Sequence, residues 1–157
     1  MSAAKVLELL EARGWSLALA ESLTGGLLAD AFVSVPGASK VLRGSVVAYA
    51  TELKHELLGV DTELLASNGA VDAEVAIAMA VGAANRLGAD VAISATGVAG
   101  PDEQDGKKVG TVFIGLVTPD GADVVELALS GSRAEIRSQA ASGAVSALLE
   151  VLTENSQ

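Results

Sequence analysis

The residues best suited to chemistry gather at Glu21-Ser22-Leu23-Thr24-Gly25-Gly26, in a chain whose only histidine is His55. An apolar run, Leu17 to Ala20, leads into this stretch and a helical pattern, Leu27-Leu28-Ala29 and Ala31-Phe32, leaves it, which describes a strand-to-helix turn carrying a serine. Such a turn lies at the carboxyl edge of an α/β sheet, where ligands bind, and N–H groups opening a helix can hold an anion or oxyanion. Serine and threonine also cap helices, and Thr24 is a candidate cap. Two glycines opening a helix cost stability, however, and mark a place where backbone approaches something closely. Ser22 is therefore a candidate nucleophile, with Thr24, Gly25 and Gly26 as substrate contacts. With one histidine in the chain, that serine needs another base.

Lys54 is the candidate base. It lies five residues after Tyr49, across a strand end and a helix start, so both can face one pocket. Taken alone, the pair reads better as a sheet-edge aromatic and a solvated lysine, and it is the chemistry of the serine turn that favours the pocket. Burial in an apolar pocket lowers a lysine pKa from about 10.4 towards a useful base, as in serine–lysine hydrolases. His55 points about 100° away from Lys54 on the same helix and reads as a surface residue. Thr96-Gly97-Val98-Ala99-Gly100-Pro101 forms a second glycine-bearing turn after a buried strand, with Gly97 and Gly100 as substrate contacts. It lacks both the dinucleotide fingerprint and the phosphate-loop lysine. Arg133 and Arg137 sit four apart at the start of the last helix, either as an exposed pair or as a phosphate or carboxylate contact. No His/Asp/Glu spacing suits a metal, so no metal or other cofactor is expected.

A chain of 157 residues, half of them apolar and with no cysteine, suits one domain spanning 1–157, without disulfides or thiolate chemistry. A net charge of −10 opposes direct nucleic-acid binding, and four aromatics (Trp15, Phe32, Tyr49, Phe113) leave little for base stacking. No secretory leader and no apolar run of membrane-spanning length are present, so a cytoplasmic protein with no membrane association is expected.

The positioning elements follow from periodicity. Helices are predicted over Ala3–Arg13, from the serine turn to about Ser34, from Thr51 to before Gly59, over Asp61–Ala66, over Asp72–Leu87 and from the Ser132-x-x-Glu135 capping box to about Leu152. Strands are predicted over Ser16–Ala20, Gly44–Ala50 and Ala89–Ala95. Two more, Val109–Thr118 and Asp123–Leu129, flank the hairpin signal Pro119-Asp120-Gly121. Asp102 to Lys108 reads as a mobile loop, and the tail to Gln157 as frayed. The sum is a three-layer α/β/α sandwich whose mixed sheet is mostly parallel with one antiparallel strand.

Several pieces together resemble the C-terminal domain of the competence-damage-inducible CinA family, whose stand-alone members include nicotinamide-nucleotide amidases. They are Ala20-Glu21-Ser22-x-Thr24-Gly25-Gly26, Val35-Pro36-Gly37-x-Ser39, Val46-Val47-Ala48-Tyr49, Glu52-x-Lys54, Leu58-Gly59-Val60, Gly69-Ala70-Val71, Thr96 to Pro101, Val109-Gly110-Thr111-Val112 and Gly131-x-Arg133. The chain departs from the family at Leu23, at Ser132 and in the 102–108 loop, which lacks a glycine pair. The resemblance implies hydrolysis of nicotinamide mononucleotide to nicotinate mononucleotide and ammonia, in pyridine-nucleotide salvage. It makes Ser22 the nucleophile, activated by Lys54 directly or through Ser39. Tyr49 and Thr96 would support the site, and Arg133 would lie near the substrate phosphate. Gly25 and Gly26 amides, or Thr96, would hold the oxyanion. The resemblance also implies a homo-oligomer. Larger members carry an N-terminal domain for which this chain has no room, so no pyrophosphatase activity is expected. The competing expectation is a non-catalytic nucleotide-binding protein, or a partner protein in competence or DNA damage.

Overall fold

The structure is a computed structural model that describes residues 2–154. The tail expected to fray ends in residues 155–157, which lie outside the described residues. In chain order the elements are α1 (Ser2–Arg13), β1 (Leu17–Glu21), α2 (Leu27–Val33), a 3-10 turn (Ala38–Lys40), β2 (Leu42–Val47), α3 (Thr51–Leu58), α4 (Thr62–Asn68), α5 (Ala73–Leu87), β3 (Val91–Gly97), β4 (Thr111–Thr118), β5 (Gly121–Ala128) and α6 (Arg133–Glu154).

Alternation along the strands divides the core into two. On β1, Leu17 and Leu19 pack with α1, α2 and α6, whereas Ala18 and Ala20 face α3, α4 and α5. Helix α6 supplies Ile136, Ala140, Ala144 and Leu148 at four-residue steps, all nearly or fully buried. Helix α5 lies close to the sheet because it offers alanines there, and the Ser94 hydroxyl ties the layers by donating to Ala76 O while accepting from Gly115 N–H. Helices therefore cover both faces of a mixed sheet.

The five strands run in the order β2-β1-β3-β4-β5. The expectation of a mostly parallel sheet is corrected: β1 pairs with β2 and β3 in parallel, but β3–β4 and β4–β5 are both antiparallel. Strand β4 occupies an interior position and runs against both neighbours, so its reversal alters two ladders out of four. Thr118 pairs with Gly121 across the hairpin turn. Strand β2 starts and stops earlier than predicted, because its last paired residue, Val47, meets the end of β1 at Glu21. Ala48 N–H still bonds to Glu21 O, and the chain then turns to deliver α3.

The order β2-β1-β3 creates a topological switch. The chain passes from β1 outward to β2, then returns past β1 to β3, which leaves a crevice at the carboxyl ends of β1 and β3. Ser22 follows one of these strands, and Thr96–Gly97 ends the other.

Candidate active site

The Ser22 turn is fixed from three sides. Ser22 N–H donates to Ala95 O at 3.0 Å, which locks the nucleophile position to β3. Gly25 (φ 55°) and Gly26 (φ 111°) lie in the left-handed region, where a side chain is strained, so the glycine pair is needed to turn β1 into α2. Arg137, reaching across from α6, donates through Nε to Leu23 O at 2.7 Å and through Nη2 to Thr24 O at 3.1 Å.

Glu21 was not singled out by type or spacing, yet it organises this turn. It is fully buried on the α2 face. Its oxygens accept from the N–H groups of Gly26, Leu28 and Ala29 at 3.0, 2.9 and 3.1 Å and from the Ser45 hydroxyl at 2.7 Å. The first turn of α2 thus already holds an anion supplied by the chain. Gly25 N–H is taken by Ser22 O, and the Thr96 hydroxyl donates to Ala70 O at 2.8 Å. The amides of Gly25 and Gly26 and the Thr96 hydroxyl are therefore engaged within the chain. Thr24 is not the cap of α2: Gly26 occupies that position, and the buried Thr24 hydroxyl has no partner among the described residues. The signal for Glu21 was its place, a carboxylate closing an apolar strand just before a helix start.

On the opposite face Lys54 is 1% exposed. Its Nζ lies 2.9 Å from Ser22 Oγ, 2.8 Å from Ala48 O and 3.3 Å from Tyr49 O. Burial lowers its pKa from 10.5 to about 8, against a smaller upward pull from the carboxylates of Asp105 and Glu52. A neutral amine in this position donates to the two carbonyls and turns its lone pair to the serine hydroxyl. Ser22 and Lys54 can thus act as nucleophile and base.

A cleft of about 610 Å³ opens above the pair, lined by Ser22, Tyr49, Thr96, Gly97, Gly100 and Arg133 among others. Arg133 spans its mouth, donating to Gly100 O and, at 3.1 Å, to the Tyr49 hydroxyl. Ser132 and Glu135 form the predicted reciprocal cap beneath it. Arg137 does not line the cleft; its guanidinium serves the serine turn. Ser39 sits in the 3-10 turn and lines a separate cavity with Val33, Pro36 and Leu42, with no hydrogen bond to Ser22 or Lys54. His55 is exposed, with Nδ1 2.8 Å from Val60 O. Among the described residues no group of three or more His, Asp or Glu could hold a metal ion, and no helix is long and apolar enough to cross a membrane.

The family described as the CinA C-terminal domain matches residues 1–152. A CinA-like protein of Frankia casuarinae is 50% identical over 147 residues, covering 94% of this chain and 34% of the relative. The chain spans about a third of the length of the curated relatives it matches. Among solved structures, a competence-damaged protein (CinA) superfamily protein of Klebsiella pneumoniae superposes with a TM-score of 0.93 at 33% identity, covering 98% of this chain and 96% of that one. A competence/damage inducible protein, CihA, of Agrobacterium tumefaciens gives 0.88 at 34% identity, covering 99% and 94%. With most of its length matched in sequence and nearly all of it in structure, the chain belongs to the CinA family through that family's C-terminal domain.

Proposed function

We infer that the site hydrolyses a carboxamide on a mononucleotide, with nicotinamide mononucleotide as substrate and nicotinate mononucleotide and ammonia as products. The observation that carries this reading is the 2.9 Å contact between Lys54 Nζ and Ser22 Oγ in a buried setting where, among the described residues, no carboxylate is bonded to the amine. At a pKa of about 8, about a quarter of the amines are neutral at pH 7.5, against about 0.1% for an ordinary lysine. Burial therefore makes the base.

Lys54 takes the Ser22 proton directly as Oγ attacks the carboxamide carbon. The protonated amine returns that proton to the leaving nitrogen, ammonia departs, and water activated by Lys54 cleaves the ester left on Ser22. The amide after the nucleophile, Leu23 N–H, has no acceptor among the described residues and borders the cleft, so it is the donor assigned to the oxyanion. Arg133 and Tyr49 at the mouth suit an anionic end such as a phosphate. The cleft volume is in the range for a small-molecule ligand. The reading takes a soluble nucleotide as partner, with no nucleic acid or membrane, in a cytoplasmic homo-oligomer.

Ammonia release from the mononucleotide by wild type, Ser22→Ala and Lys54→Ala tests it. Wild-type turnover lost in both variants is the expected result, and full activity in both eliminates the mechanism. A second reading, a non-catalytic or competence-associated partner, is favoured by the names of the structural relatives, which speak of competence and damage. Tight mononucleotide binding in a calorimeter without ammonia release selects it.

A further inference from the structure

The loop expected to be mobile is tied down by one residue. Asp105 is the one non-glycine residue among those described with a left-handed φ, 51°. Its Oδ2 accepts from Ala70 N–H at 3.1 Å. A Cβ at Gly69 would come within 2.8 Å of the Asp105 side chain, so the carboxylate seats against a residue that must be glycine. The far side of the same short segment is held as well, because Ala70 O accepts from the Thr96 hydroxyl. Thr96 follows Ala95, whose carbonyl takes Ser22 N–H. A connected path therefore runs from the loop through Ala70 and Thr96 to the nucleophile. The loop also carries Asp102, Glu103 and Gln104 along the cleft and closes on itself between Gln104 and Lys107.

We propose that Asp105 is a positioning residue: it pins the 102–108 loop to the Ala70 peptide and so holds a carboxylate charge on the loop that edges the cleft of the Ser22–Lys54 pair. This rests on the reading of that pair as nucleophile and base, but not on the identity of the substrate. The charged groups acting on Lys54 are Asp105 from the loop and, second, Glu52 from its own helix. Among its neighbours, α5 has its only charges, Glu74 and Arg86, at its two ends, α4 carries Glu63, and Glu21 of β1 is bonded on the other sheet face. Asp105 is thus the charge that a loop movement would add or withdraw. Asparagine keeps the acceptor for Ala70 N–H and deletes the charge, whereas alanine deletes both.

Two measurements separate these parts. The first is the rate at which a small phosphonofluoridate modifies Ser22 as a function of pH, with Ser22→Ala as the blank. Removing a carboxylate lowers a nearby lysine pKa, so in Asp105→Asn and Asp105→Ala the acid limb moves down by about half a pH unit, raising the rate at pH 6 about threefold. The second is amide hydrogen exchange at Ala70, expected to be at least about tenfold faster in Asp105→Ala and near wild type in Asp105→Asn. A limb that coincides in all three proteins, or Ala70 exchange equal in all three, overturns the proposal. Modification of wild-type Ser22 without ammonia release from the mononucleotide would defeat the proposed substrate alone, leaving both Asp105 measurements in force.

Discussion

Two fully or nearly fully buried ionisable side chains flank the end of β1, Glu21 on one face of the sheet and Lys54 on the other, and their surroundings differ in kind. Glu21 receives four donors, three of them peptide N–H groups at the start of α2. Among the described residues Lys54 has only carbonyl and hydroxyl oxygens for hydrogen-bond partners, and its ammonium form is penalised by burial. Satisfied polar burial makes scaffold, because every group would lose a partner on moving. Under-compensated burial makes a base, because the cheapest response of the site is to release a proton. One peptide step, from Glu21 to Ser22, joins the two regimes.

The largest effect that can break this contrast is on Lys54. Lys54→Met is expected to lower kcat/KM for ammonia release by at least about a thousandfold, the scale for losing an activating base. The same variant tests the energetic half of the contrast. The folded-state pKa of about 8 lies below the unfolded 10.5, so between these values the unfolded chain binds more protons and stability rises with pH. The lysine's unfavourable contribution is complete below pH 8 and gone above pH 10.5, up to ~3 kcal/mol in all. Urea denaturation across that window should show the rise in wild type and lose it in Lys54→Met. Identical pH dependence in both would mean that Lys54 is not held under strain of charge.

Glu21 should behave in the opposite sense. Glu21→Ala strands three N–H groups at the start of α2, of which Leu28 N–H is buried, and the half-buried Ser45 hydroxyl, a loss on the order of 3 kcal/mol in urea denaturation. Glu21→Gln, which keeps one acceptor oxygen, should lose about 2 kcal/mol. If Glu21→Gln unfolds like wild type while turnover falls a thousandfold, Glu21 belongs with the chemistry and the contrast fails.

The same division explains what the sequence revealed. Ser22 and Lys54 were legible because each sits in a local pattern, a glycine turn after an apolar strand and a lysine one turn into a helix. Asp105 and Arg137 act through partners far along the chain, Ala70 and the Leu23 and Thr24 carbonyls, and residue type alone does not state such pairings, whereas Glu21 has three local N–H donors at the start of α2 and one distant donor, Ser45. Ser39 came only from the resemblance, and the fold puts it on another cavity. The late hairpin was readable from its turn, but the place of β4 inside the sheet was not, and that place decides that half the ladders are antiparallel.

Arg137 gives the smallest and most discriminating effect. Spacing left it either an exposed partner of Arg133 or an anion contact, whereas its Nε and Nη2 are bonded to the successive carbonyls of Leu23 and Thr24. A residue that aims the nucleophile turn acts on the transition state, so Arg137→Met should lower kcat about tenfold with KM little changed, a loss of about 1.4 kcal/mol. Arg137→Lys should recover part of it, because an ammonium can reach one carbonyl but lacks the planar fork that spans two. Arg133, at the cleft mouth, provides the control: Arg133→Met should raise KM instead. A rise in KM with constant kcat in Arg137→Met would return that residue to the substrate and leave the serine turn held by Glu21 and β3 alone.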